Sequence, residues 1–168
     1  DQELAHAEAA HVQAISELLD ASVAEIHDLA RGLSPAALSP GALVAALDGL
    51  ARRVRASGAV ECEFIHDGAA RPADLELSSQ LFRIAQEAVT NALRHARARR
   101  IRIELARGDE GDQLLIRDDG VGFAPDGNRD GMGLRIMRYR AELIGGSFAV
   151  GTAPGGGTLV TCTLPLPE

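Results

Sequence analysis

The chain has 168 residues and a mass of 17.6 kDa, which fits one ordinary domain with or without a helical appendage. Its 46% hydrophobic residues, 24% charged residues and mean hydropathy near zero are typical of a folded core. All 17 basic residues are arginine, which excludes a Walker A loop, a eukaryotic-type protein kinase and Schiff-base catalysis, because each requires a lysine. The net charge of −7 argues against direct binding of nucleic acid, since affinity for the phosphate backbone needs excess basic side chains.

The cysteines and the apolar segments bear on redox state and location. Cys62 and Cys162 lie in strand-like segments without metal-ligand spacing, so we expect two buried, inert thiols in a reducing compartment. No stretch approaches the ~20 apolar residues that cross a bilayer, and the acidic start does not resemble a signal peptide. These features predict a cytoplasmic location for this piece and leave open whether a parent protein is anchored in a membrane.

The first predicted element is a long N-terminal helix. From Asp1 to about Arg31 the chain lacks Gly and Pro, and its apolar residues recur every three or four positions. Residues 33–41 are dense in helix breakers and predict a linker.

Helices and strands alternate in the rest of the chain. We predict a helix from Ala42 to about Ala56, a strand from Val60 to Phe64, a helix from Asp74 to about Arg97, and strands from Ile101 to Leu105 and from Gln113 to Arg117 joined by a turn at residues 109–112. A loop rich in Gly and Asp follows, then a helix from Met132 to Leu143 and strands from Ser147 to Val150 and from Thr158 to Leu164. Hairpin-joined strands beside helices predict an α+β fold, a two-layer sandwich whose mixed or antiparallel sheet has its helices on one face.

Two polar residues of the helix that starts near Asp74 form the first candidate site. Glu87 and Asn91 are four residues apart, so they share one face of the helix. A carboxylate and a carboxamide one turn apart can together hold a hydrated Mg²⁺. Taken alone, such a pair is more often an exposed polar face without a ligand.

Three glycine-containing segments supply further candidates. Asp118 follows a predicted strand, and its carboxylate suits an exocyclic amine such as that of adenine, while Gly120 and Gly122 let the backbone approach a flat ligand. The segment from Gly131 to Leu134 opens a helix, where backbone N–H groups can face a phosphate. Residues 155–158 begin the last strand. Taken alone, the first segment is more often an acidic turn without a ligand, the second is as often a helix cap, and the third is typical of a hairpin turn.

Together and in this order, the four segments resemble the ATP-binding domain of bacterial sensor histidine kinases, within the GHKL superfamily of gyrase, Hsp-type chaperones and MutL-like ATPases. Residues 81–96 resemble the N box of the subfamily typified by nitrate sensors, residues 118–123 the G1 box, residues 131–134 the G2 box, and residues 155–158 the closing motif. The similarity extends over about residues 33–166. It implies a Bergerat-type ATP-binding fold for residues 42–168, with ATP and Mg²⁺ as ligands.

The resemblance also implies a role for each site residue. Asn91 would ligate Mg²⁺, and Glu87 would assist through water or polarise the attacking nucleophile. Asp118 would accept a hydrogen bond from the adenine amine, with Gly120, Gly122 and Thr158 around the base. Other residues would lie at the phosphates: Arg94, His95, Gly131, Met132, Gly133 and Leu134. Residues 124–130 would form a mobile lid. The following arginines are expected to be solvated, or else to extend the field at the phosphates: Arg97, Arg99, Arg100 and Arg102.

The function implied by the resemblance is transfer of the ATP γ-phosphoryl group to a histidine on a dimerisation helix, for relay to an aspartate of a response regulator. In this subfamily the regulator is often a LuxR-type DNA-binding protein. Gly32-Leu33-Ser34-Pro35 resembles the motif that closes the second hairpin helix, so residues 1–32 would be that helix, and the phosphoacceptor helix would lie upstream. His27 is therefore not expected to be the acceptor. Two alternatives remain: an anti-sigma-type serine kinase, and a nucleotide-sensing GHKL module without kinase activity.

Overall fold

The computed structural model describes residues 42–70, 75–122 and 131–165. Within these ranges eight elements follow each other: α1 (Ala42–Ala56), β1 (Glu61–His66), α2 (Leu75–His95), β2 (Arg100–Gly108), β3 (Gly111–Asp118), α3 (Met132–Leu143), β4 (Ser147–Thr152) and β5 (Thr158–Pro165). The order of helices and strands is the predicted one. The expected N-terminal helix with His27, the expected linker and the expected lid lie outside the described residues.

The strands form one mixed sheet with the order β1-β2-β3-β5-β4. β1 and β2 are parallel, because α2 carries the chain back between them, and the other neighbouring strands are antiparallel. Along β2, Ile101, Ile103 and Leu105 are buried while Arg102 between them is exposed. This alternation places one face of the sheet on the core and leaves the other face towards solvent.

The helices cover the buried face of the sheet. Buried residues of α1 recur every three or four positions: Leu43, Leu47, Leu50, Ala51 and Val54. A longer buried stripe follows α2: Ser78, Leu81, Phe82, Ile84, Ala85, Ala88, Val89 and Ala92. α3 packs beside α2, where Arg140 Nη1 donates a hydrogen bond of 2.9 Å to Gln80 Oε1. The predicted α+β two-layer sandwich is confirmed, and none of the helices in the described ranges is long and apolar enough to cross a membrane.

The end of α2 differs from the prediction. The helix ends at His95 rather than near Arg97. Ala96 N–H still bonds to Ala92 O at 3.3 Å, but Arg97 has a φ of 51°, in the left-handed region. The chain must turn here to start β2, and a hydrophobic pattern does not show where such a turn begins.

The turn between β2 and β3 is shorter than predicted. It holds only Asp109 and Glu110, because strand pairing continues out to Gly108 and Gly111. Two strands stay paired across polar residues as long as their backbone N–H and C=O groups find partners. A hairpin loop can therefore be shorter than the polar segment that contains it.

Both cysteines are buried free thiols, as predicted. Burial raises the pKa of Cys62 to about 11 and the pKa of Cys162 to about 11. Both thiols therefore stay protonated near neutral pH and pack as small hydrophobic side chains.

Candidate functional site

Asp118 is the last residue of the central strand β3, and only 6% of its surface is exposed. Its Oδ1 accepts hydrogen bonds from the N–H of Gly120 at 2.8 Å and from the N–H of Thr158 at 3.3 Å. The carboxylate is thus held from two sides, by the loop after β3 and by the first residue of β5. Three of the predicted site residues form one contact group.

The loop after β3 lies directly on the chain that leaves α2. Val121 N–H donates a hydrogen bond of 2.8 Å to Ala96 O, and a Cβ on Gly120 would lie 2.2 Å from the same oxygen. Only glycine fits at position 120 without displacing the backbone of α2's end. Gly122 lies next in this loop, beside the carbonyl of Gly157. Both predicted glycines therefore belong to the loop after β3, and this loop packs on the end of α2.

Glu87 and Asn91 form a second cluster, further back on the same helix. Both side chains are half-buried and lie one turn apart. The start of α3 packs against them: a Cβ on Gly133 would lie 2.3 Å from Glu87 Oε1 and 3.2 Å from Asn91 Nδ2. A residue without a side chain at position 133 lets the backbone of α3 come this close to the carboxylate.

The N-terminus of α3 carries the positive end of a helix dipole to this cluster. Gly131 is the N-cap residue and makes no side-chain capping hydrogen bond. The hydrogen bond from Arg135 N–H to Gly131 O, 3.1 Å long, is the first backbone bond of the helix. The N–H groups of the first turn come before it and have no carbonyl partner within the helix. Leu134 is buried and anchors the helix to the core, and Met132 is half-buried. The backbone amides, rather than side chains, are the groups that can meet an anion here.

Arg94 and His95 occupy the last turn of α2, and both are exposed. They follow Asn91 by three and four residues, so they lie on its side of the helix. Basic side chains in a last turn also complement the negative end of the helix dipole. Their place at the phosphates therefore stays a prediction.

The arginines after α2 are exposed, and two of them pair with β1. Arg100 Nε lies 3.1 Å from Glu61 Oε2, and Arg102 Nε lies 2.5 Å from Glu63 Oε1. These surface pairs direct both guanidinium groups to the first strand of the sheet. They favour the expectation that these arginines are solvated strand residues.

Asp119 holds the turn between α2 and β2, a role that the sequence did not indicate. Its Oδ1 accepts hydrogen bonds from Arg99 N–H at 2.7 Å and from Arg100 N–H at 2.9 Å. The N–H of Arg100, followed by that of Arg99, keeps the pKa of Asp119 below its usual 3.8 despite some desolvation. Ala96, whose carbonyl accepts the hydrogen bond from Val121 N–H, was likewise not among the predicted site residues. Each contact joins segments 19 to 25 residues apart, so no local pattern reports it.

The oxygen donors of the site suit a metal ion that a bound ligand helps to coordinate. Among the described residues, no three His, Cys, Asp or Glu side chains are grouped to hold a metal by themselves. Glu87 offers a carboxylate beside the first turn of α3, and Asn91, whose Nδ2 approaches Gly133, carries an amide oxygen on the same group. Mg²⁺ is typically held by one or two protein oxygens together with waters and substrate phosphates. The donor set fits that type of binding.

Comparison with known families decides what kind of protein carries this site. A sequence profile of the histidine kinase-, DNA gyrase B- and HSP90-like ATPases matches residues 76–168. The chain belongs to this family. The matched range contains both clusters and all of the segments that form them, whereas α1 and β1 precede it.

Curated relatives are sensor kinases. The nitrate/nitrite sensor protein NarQ of Escherichia coli is 35% identical over 124 residues, which cover 73% of this chain and 21% of NarQ. The sensor protein VraS of Staphylococcus saprophyticus is 36% identical over 108 residues, which cover 64% of this chain and 31% of VraS. The chain thus spans about a fifth to a third of the length of these relatives.

Solved structures share the fold. The ATP-binding domain of PrrB from Mycobacterium tuberculosis superposes with a TM-score of 0.63 at 23% identity, covering 74% of this chain and 94% of that domain. The histidine kinase domain of the blue-light activated kinase EL346 from Erythrobacter litoralis gives a TM-score of 0.62 at 26% identity, covering 74% of this chain and 61% of that one. The predicted catalytic ATP-binding domain of the histidine kinase type is confirmed.

Proposed function

We propose that this chain binds Mg²⁺-ATP and delivers the γ-phosphoryl group to a histidine, as part of a two-component sensor kinase. The observation that supports the proposal is that one cluster lies on α2 and the other lies beside the C-terminal end of the same helix. Asp118 meets the end of α2 through Gly120 and Ala96, while Glu87 and Asn91 meet the start of α3. Asn91 and Ala96 are separated by about 7.5 Å of helix. One nucleotide can therefore reach the first cluster with its base and the second with its phosphates.

The base end of the proposed site is built around a carboxylate. The adenine amine donates a hydrogen bond to Asp118, whose buried position makes the bond selective for a donor. Gly120 and Gly122 leave room for the flat face of the base, and Thr158 supports it from β5. This assignment explains why the backbone holds Asp118 from two sides, since a fixed acceptor does not have to be ordered by the ligand.

The phosphate end uses backbone amides, α2 and a metal ion. The proposed contacts to phosphate oxygens come from Arg94, His95, Gly131, Met132, Gly133 and Leu134. Asn91, assisted by Glu87, holds Mg²⁺, which when bound neutralises phosphate charge during transfer. Glu87 assists through water or polarises the imidazole nitrogen that attacks the γ-phosphorus. The bond from that phosphorus to the bridging oxygen then breaks, and ADP leaves with the electron pair.

The other partners of the reaction follow from the same family likeness. Residues 1–32 are proposed as the C-terminal helix of a dimerisation hairpin and residues 33–41 as a linker. The acceptor is a histidine on an upstream helix, and His27 is not the acceptor. The phosphoryl group then passes to an aspartate of a response regulator, and the similarity to a nitrate/nitrite sensor favours a LuxR-type regulator.

Calorimetric titration of ADP and of a non-hydrolysable ATP analogue, with and without Mg²⁺, tests the nucleotide site. We expect binding that Mg²⁺ strengthens. Asn91→Ala should remove the Mg²⁺-dependent part, and Asp118→Asn, which turns an amide N–H towards the adenine amine, should weaken binding about 100-fold. Asp48→Asn is the control, because Asp48 lies in α1, where it pairs with Arg52 at 2.9 Å, and is not among the proposed site residues. Unchanged affinity in Asp118→Asn would show that the adenine site lies elsewhere.

A second measurement tests the acceptor. Incubation of the chain with γ-labelled ATP should leave His27 unlabelled. Acid-labile label that disappears in His27→Ala would overturn the assignment of the first helix. Acid-stable label on a serine of a partner protein would instead favour the serine-kinase alternative.

A further inference from the structure

Asp119 follows Asp118 directly, and its carboxylate accepts hydrogen bonds from the turn between α2 and β2. We propose that Asp119 is a positioning residue that holds α2 in register with β3, so that both clusters meet one nucleotide at the same time. This inference rests on the nucleotide site proposed above.

The contacts of Asp119 form a clamp, which we define as the hydrogen bonds between residues 119–121 and residues 96–100. Asp119 Oδ1 accepts the N–H groups of Arg99 and Arg100 at 2.7 and 2.9 Å. Asp119 N–H donates to Arg100 O at 3.3 Å, and Val121 N–H donates to Ala96 O at 2.8 Å. The segment that follows β3 is thereby hydrogen-bonded to the first and to the last residues of the turn.

The turn needs such a clamp, because its backbone is strained. Within the described ranges Arg97 is the only non-glycine residue with a positive φ, 51°. A residue with a side chain is strained in this region, so the turn persists only where its surroundings hold it. The two bonds to Asp119 Oδ1 are charge-assisted, which makes them the strongest part of the clamp.

The clamp fixes the distance between the two ends of the nucleotide site. Ala96 continues directly from α2, and α2 is a rigid rod that carries Glu87 and Asn91. A shift of the turn would move this rod along β3 and separate the phosphate ligands from Asp118. A displacement of about 1 Å in such an arrangement can cost about 100-fold in function.

Asp67 provides a matched control at the other end of the sheet. It is exposed like Asp119, and its two carboxylate oxygens accept N–H groups of Ala69 at 2.8 Å, Ala70 at 3.2 Å and Arg107 at 2.8 Å. It thus fastens β1 to β2, as Asp119 fastens β3 to β2. None of its partners belongs to the proposed nucleotide site.

The experiment compares Asp119→Ala, Asp119→Asn and Asp67→Ala in the full chain, with three measurements on each. Thermal unfolding reports stability, amide hydrogen exchange reports the clamp, and calorimetry reports the Kd of ADP with and without Mg²⁺. We expect exchange at Arg99, Arg100 and Val121 to accelerate at least about tenfold in Asp119→Ala. The Kd of Mg²⁺-ADP should rise about 10- to 100-fold, and the strengthening by Mg²⁺ should shrink.

The two other variants separate positioning from mere stabilisation. Asp119→Asn should restore most of the affinity, since Asn accepts backbone N–H groups nearly as well as Asp. Asp67→Ala should lower the Tm to a similar extent and leave both Kd values unchanged. The inference is overturned if Asp119→Ala loses stability without losing affinity, or if the amides of Arg99, Arg100 and Val121 exchange freely in the wild type. Wild-type protein with a protected clamp and no nucleotide binding would refute the proposed function, and the inference with it.

Discussion

At the scale of single residues, Gly133 links the two helices of the site. Its substitution by alanine would place a methyl group 2.3 Å from Glu87 Oε1, so the carboxylate must move while the helical backbone of α3 is preserved. We expect Gly133→Ala to fold with an unchanged Tm or a slightly higher one, because alanine favours a helix by about 1 kcal/mol. Its affinity for Mg²⁺-ADP, measured by calorimetry, should fall at least about tenfold.

Gly49→Ala is the control for this substitution. Gly49 lies inside α1, where, among the residues that the structure describes, a Cβ would touch only Arg53 Nη1, at 3.4 Å. The variant should gain helix stability in the same way and bind nucleotide as the wild type does. Equal affinity in the two variants would mean that the contact between α3 and Glu87 has no part in binding.

At the scale of elements, α1 contributes to the core. Leu47 is completely buried where α1 packs on β1 and α2. Leu47→Ala removes three buried carbons and leaves a cavity, so we expect it to lower the free energy of unfolding by about 2 to 5 kcal/mol in urea titrations. Arg53→Ala on the exposed side of α1 should change it by less than about 0.5 kcal/mol. A small effect of Leu47→Ala would show that α1 is only loosely packed on the sheet.

At the scale of the whole molecule, the sheet is fastened near both of its ends by exposed aspartates. The N–H of Arg107, then those of Ala69 and Ala70, hold the pKa of Asp67 below its usual 3.8. A group with a lowered pKa stabilises the fold above its unfolded pKa, and this contribution disappears as pH falls through the folded value. We therefore expect Asp67→Asn to be less stable than the wild type at pH 6, with the difference shrinking as pH falls below the usual pKa of 3.8.

Urea midpoints at pH 6, 4 and 3 measure this difference. Asp109→Asn, in the exposed turn between β2 and β3, removes the same charge without removing a fastening of the sheet. A gap between wild type and Asp67→Asn that does not shrink between pH 6 and pH 3 would show that the amide differs from the carboxylate for reasons other than ionisation.

The sequence by itself predicted the order of the described helices and strands and the residue types of the proposed site. Apolar periodicity is a local property, so α1 and α3 begin and end where the pattern predicted. Alternation of apolar and polar residues is local too, and it indicated strands. The motif residues Glu87, Asn91, Asp118 and Thr158 could be named for the same reason, since each lies within a short segment of recognisable chemistry. The family likeness then joined these segments into one expected site.

Only the tertiary structure decided which of these segments touch. The contact of Gly133 with Glu87 and the grip of Asp119 on Arg99 and Arg100 join residues 19 to 46 positions apart. Such contacts depend on how α2 lies against β3 and α3, which is set by the packing of the whole core and not by any local pattern. The early end of α2 before Arg97 has the same cause, because the helix stops where the chain must turn into the sheet.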